Sequence, residues 1–524
     1  MSISPHSFAI FVYPFSFDRS HFDDLVAAAD GDALTVEAAT WRLWARRAFP
    51  HDDLLRHVAD YLNPAPGVLA TACLWTLEDR VLTSPRGLGL RAGALSLCLG
   101  RTKNQSAAAA PGQTPAGAIG LDITGIDLAL FRVGMGYLVL RVRVRSQLPD
   151  DWYAVLNAFR YADRPGKVDL LFQRRTGKDS VEPFFPPLAD AADDAAGGRG
   201  VTRHLIGGLL RRLIPSPPPG QPDWWREVFV PGQLLPFHAL FFAEIPEPEQ
   251  AMTLYRLRNF FHAGQSLVPS AGDLRPDHPA LLSYADRMWF SLTLEGGGFV
   301  AFDAPDTPFW STTMPDHLDE QYFLLFLLAL HQRFTLMELS DQVCSGWLSA
   351  DDGQAEAHFA TLRETLLEFT ARGYFNQVMQ RDHHHRCFRA WQEVFETERL
   401  YREVTDEVRE LHGMLLMRKT ERIQRLAEEQ RRQLDAQAQA EAVRERAAQA
   451  RSERIGTWLG GIAFLLGFPS LVLSFLQVTQ ESDPQLAWAS LLLSLVVGGV
   501  LLVSVRLWLR RCRPGETPGN GAGA

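Results

Sequence analysis

Residues 458–478 read WLGGIAFLLGFPSLVLSFLQV, 21 residues without a charge, and residues 486–509 read LAWASLLLSLVVGGVLLVSVRLWL, 24 residues whose only charge is Arg506 near the end. Each stretch is long enough to cross about 30 Å of hydrocarbon as a helix. The sequence therefore predicts a hairpin of two transmembrane helices, 458–478 and 486–509, joined by a short connector, 479–485. The connector carries Glu481 and Asp483 and no basic residue, whereas Arg451 and Arg454 precede the first span and Arg506, Arg510, Arg511 and Arg513 flank the second. Because Lys and Arg stay on the cytoplasmic side, both termini are expected inside and the connector outside. Trp458, Trp488 and Trp508 sit near the span ends, where amphipathic rings favour the interface.

Working outward, the whole-chain composition conceals this signal: 46% apolar and 22% charged residues are ordinary for a globular protein. A formal charge of −9 argues against nucleic acid as a partner, since phosphate binding needs concentrated Lys and Arg. The five cysteines have no CxxC or framework spacing, which suits free thiols in a reducing compartment. Residues 1–17 lack the basic start, uninterrupted apolar core and small-residue cleavage site of a signal peptide, so the large N-terminal part is expected to stay in the cytoplasm.

Residues 1–315 read as a mixed α/β, sheet-bearing cytoplasmic domain. Residues 6–17 have strand character, and a helical stretch is expected through Trp41, Trp44, Leu54, Leu55, Val58 and Tyr61. The Ala, Pro, Gly, Gln and Thr of about 100–118 predict a flexible surface loop. Around Gly134-Met135-Gly136 two apolar runs form a hairpin, with Val139, Arg141, Arg143 and Arg145 on its solvated face. A second hairpin joins 289–294 to 299–302, its turn spanning Glu295 and Gly296-Gly297-Gly298. Residues 316–390 read as a helical subdomain; 322–330 is intensely apolar, but nine residues are too few to span a bilayer and imply a buried helix.

From 391 to 457 the chain lacks proline and is rich in Glu, Arg, Gln, Ala and Leu, which predicts one long stalk helix. Some 85 continuous helical residues, stalk and first span together, would extend roughly 130 Å. Leu400, Val404, Val408, Leu411 and Leu415 form a packing seam at its start. Beyond Arg418 the seam thins to Ile423, Leu426 and Leu434, a pattern compatible with a solvated single helix or with a loose oligomeric coiled coil, and Gly413 marks a weak point. In the first span, Thr457, Gly460, Phe464, Gly467, Ser470, Ser474 and Gln477 recur at steps of three and four on one stripe that continues to Glu481. Around an oligomer axis, Ser470, Ser474 and Gln477 would line a watery path, Phe464 would constrict it, and Glu481 and Asp483 would form an acidic mouth. The alternative is hydroxyls bonding their own helix at helix–helix contacts. Pro469 interrupts the backbone ladder and marks either a gating hinge or a simple bend.

This layout, with the stalk helix entering the first of two C-terminal spans, the acidic external loop, the basic tail 510–524, and the stalk residues Leu400, Tyr401, Val404, Val408 and Leu411, resembles the CorA-type metal ion transporter family. The resemblance covers about the last 130 residues. It implies a homopentamer in the inner (plasma) membrane of a bacterium, with the first spans lining the pore and Mg2+ or a related divalent cation as cargo or regulator. Where that family has Gly-Met-Asn, this chain has Phe475-Leu476-Gln477, which leaves the Gln477 amide to stand in for the asparagine.

Two further sets have metal-ligand chemistry. Asp382 and His385 share one helical face within Asp382-His383-His384-His385, three residues apart. Asp303, Asp306, Asp316, Asp319 and Glu320 supply oxygens of the kind that bind hard cations, although a solvated acidic stretch has the same composition. No P-loop, GxSxG, HExxH or HxE…CxxC pattern occurs, so no enzyme and no resident cofactor are expected. The sequence thus points to an oligomeric channel or transporter for divalent cations, gated by its cytoplasmic domain. Its alternative is a membrane-anchored sensor or effector, as in bacterial defence, whose domain binds a small molecule or protein and whose hairpin anchors in or permeabilises the bilayer.

Overall fold

The computed structural model describes residues 2–36, 39–83, 97–99, 119–161, 169–173, 201–217, 220–228, 230–243, 245–261, 267–305, 307–347 and 352–479, with parts of 488–507. It forms two units, Met1–Leu415 and Leu416–Ala524. The first is built on a mixed sheet, 13-stranded among the described residues.

The centre of this sheet follows from the run Phe8–Phe17, β1, which is apolar on both faces. Ala9, Phe11, Tyr13 and Phe15 enter one core while Ile10 and Val12 enter the other, as period-two alternation requires of a strand covered on both sides. After β2 (Ala33–Val36), β3 (Ala39–Arg42), β4 (Trp44–Arg47), β5 (Ala72–Leu77) and β6 (Leu97–Leu99) comes the predicted hairpin, β7 (Ile119–Phe131) and β8 (Met135–Val144). Gly134 turns this hairpin at φ +100°. The remaining strands are β9 (Asp169–Gln173), β10 (Val201–Leu205), β11 (Trp225–Glu227), β12 (Leu235–Phe242), β13 (Leu281–Ala285), β14 (Met288–Thr293) and β15 (Gly296–Phe302). The main order is β10-β9-β6-β7-β8-β1-β12-β15-β14-β13, antiparallel except for the parallel pair β12–β15.

Two expectations fail here. Trp41 and Trp44 lie on β3 and β4, between the helices Phe22–Gly31 and Arg56–Leu62; bulky aromatics fit a pleated surface as well as a helix. Gly296-Gly297-Gly298 are not turn residues but the start of β15, where a side chain on Gly298 would overlap the His238 carbonyl and one on Gly297 the Ser291 carbonyl. The glycines allow close strand approach, the other use of glycine inside a strand.

The apolar run at 322–330 is a buried helix, as predicted. Helical structure runs Phe309–Cys344, opening with π-helical turns Phe309–Thr313 and Leu318–Tyr322 before the helix Phe323–Trp347. Among the described residues this is the one helix long and apolar enough to cross a membrane, yet 83% of its apolar window is buried, packed on the second face of the sheet. Its apolar character all round is that of a core helix. The helix Asp382–Val394 packs there as well, through Cys387, Phe388 and Trp391.

The predicted stalk is broken near its start. Glu396, at φ +53°, separates Asp382–Val394 from a single helix, Thr397–Thr479, of 83 residues. The helix passes Gly413 and Pro469 without a break, and the stalk and the 458–478 segment are one element. Val404 and Val408 are buried at its start, with Leu400, Leu411 and Leu415 against the same core, and Tyr401 stacks on Tyr374 at 4.5 Å.

Candidate functional site

From Leu416 to Leu466 every side chain of the long helix except that of Ala442 is exposed. Before Ile455 this surface is mostly charged or small; after it, Trp458, Leu459, Ile462, Leu465 and Leu466 are apolar and exposed. An uncovered apolar surface of this size calls for a partner phase or a partner protein. Phe464 is 49% exposed and stacks on Phe468 at 5.8 Å. Gln477 is exposed; Ser470 and Ser474 lie on the same helix. Thr457 donates its hydroxyl to the Glu453 carbonyl at 2.6 Å, so this member of the stripe bonds its own helix. Glu481 and Asp483 fall outside the described residues. The described residues of the second apolar stretch, among them Trp488, Leu492, Val496, Val500 and Val503, are helical and, Val505 apart, exposed.

The other candidates meet ordinary partners. Asp382 and His385 occupy the first turn of Asp382–Val394, and among the described residues no group of three His, Cys, Asp or Glu is placed to hold a metal. His384, not His385, is the buried member; burial, with His383 beside it, brings it down to about 4, and its ring meets Tyr322 edge-on at 4.9 Å. Burial pushes the Cys387 thiol well above its usual range, which keeps it protonated and inert. Asp303 pairs with Arg287, and Asp306 lies outside the described residues.

Asp319 belongs to a cluster that the sequence reading missed. Arg141, expected on a solvated face, reaches from β8 to Asp127 on β7 and, at 2.8 Å, to Asp319 in the π-helical turn above the sheet. Burial opposes its charge, but Asp127 and Asp319 outweigh that and hold the guanidinium above its ordinary range. Only Arg143 and Arg145 of the predicted solvated set are exposed, and Val139 is core.

A second buried network lies under the core helix. His331 Nε2 is 3.0 Å from the Tyr61 hydroxyl and Nδ1 is 3.4 Å from that of Thr335, so a neutral imidazole finds both a donor and an acceptor. Gln332 and Gln392 both donate to the Phe375 carbonyl, and Gln392 also donates to Gln332 at 2.8 Å. His238 is equally buried, beside Ser291. Burial brings both His331 and His238 to about 3.

These shifts carry a pH prediction. A histidine with a depressed folded pKa binds a proton more readily when unfolded, so its contribution is intact above about 6.5 and lost as pH falls from there toward 3. Each of the two is expected to cost about 2 kcal/mol between pH 7 and pH 5. Buried His384 adds a loss of about the same size, so His331→Gln should shrink the difference by about a third; denaturant unfolding of the detergent-solubilised chain at both pH values checks this, and a pH-independent midpoint would refute it.

No protein-family model matches this chain, and neither a curated protein nor a solved structure does. What the fold itself provides is an α/β domain whose core holds the start of one very long helix, and an apolar, exposed surface at the far end of that helix.

Proposed function

We propose that the chain is a CorA-like membrane protein: an oligomeric channel or transporter for divalent cations, Mg2+ among them, controlled by its cytoplasmic domain. The observation that carries this is continuity. One helix, Thr397–Thr479, starts in the core at Val404 and Val408 and runs without interruption into the apolar segment from Trp458 onward. A rearrangement in the domain thus acts directly on the span, with no linker to absorb it. In this reading 458–478 and 486–509 form the hairpin, with both termini inside, and the Ser470, Ser474 and Gln477 stripe faces the axis of a homo-oligomer, a pentamer by resemblance. The role is transport, with no covalent chemistry.

One observation favours the second reading, a membrane-anchored sensor or effector. Thr457 donates its hydroxyl proton to its own helix, as an anchor's hydroxyls do, and so meets its one donor without any partner from outside.

Flux measurements on reconstituted full-length protein separate the two. The channel reading expects Mg2+ or Co2+ entry into proteoliposomes, reduced tenfold or more by Ser474→Leu, whose bulk would fill the path. Gln477→Ala is expected to change the preference between divalent and monovalent cations. Absence of flux from protein that remains oligomeric would leave the anchor reading in its place.

A further inference from the structure

No further inference is drawn: the strongest candidate, the side-chain cluster of Tyr284, Tyr322, His383 and His384 at the start of the helix Asp382–Val394, carries nothing, because among the described residues no three His, Cys, Asp or Glu side chains are placed to hold a metal and nothing in the structure shows what else would occupy it.

Discussion

Arg141→Ala is expected to destabilise the N-terminal unit by about 3–5 kcal/mol, because it leaves a buried carboxylate without its cation. Asp127 is 3% exposed and faces Arg141 across the β7–β8 pair, while Asp319 reaches the same guanidinium from the π-helical turn. The triad is not worth this much in itself. Taking charges out of water offsets most of what their attraction returns, so Arg141→Met with Asp127→Asn is expected to recover most of the loss. Denaturant midpoints of the single and the double variant at pH 7 measure both effects. A loss under about 1 kcal/mol at pH 7 would mean that solvent reaches the triad and screens it.

The same triad shows where the sequence stopped being legible. Residues 138–145 alternate as a strand should, and β8 forms where that pattern places it. Alternation reports which side a residue is on, but not what lies on that side. Nothing near Arg141 announces that a helix 178 residues later brings Asp319 over it. The length argument at 322–330 succeeded because bilayer thickness is a fixed scale, and nine residues do not meet it. The break at Glu396 was invisible for the opposite reason: Glu is a good helix former, and the φ of +53° at this exposed residue goes with the burial of Phe395 and Thr397 on either side of it. For the candidate pore stripe, the steps of three and four fix a common helix face by geometry alone. Whether that face meets an axis depends on other copies of the chain, and that information is not local to any one stretch of residues.

The glycines supply the other large effect, and they divide by surroundings rather than by residue type. Gly298→Val is expected to cost at least about 3 kcal/mol, since any side chain there overlaps the backbone of His238 across the β12–β15 pair. Neither strand can move aside. β12 is buried along its whole length between β1 and β15, and Trp391 already rests against the neighbouring Gly297. Gly220 is also at positive φ, +96°, but its Cβ direction is open, so Gly220→Ala should cost only the left-handed backbone, about 1 kcal/mol. At Gly413, helical and open, Ala should instead stabilise by up to about 1 kcal/mol. The three variants therefore separate steric overlap, backbone conformation and helix propensity in one molecule, read as shifts in denaturant midpoint. If Gly298→Val unfolded no more readily than Gly220→Ala, the close approach of β12 to β15 would be wrong, and with it the placement of His238 and the pH dependence derived from its burial.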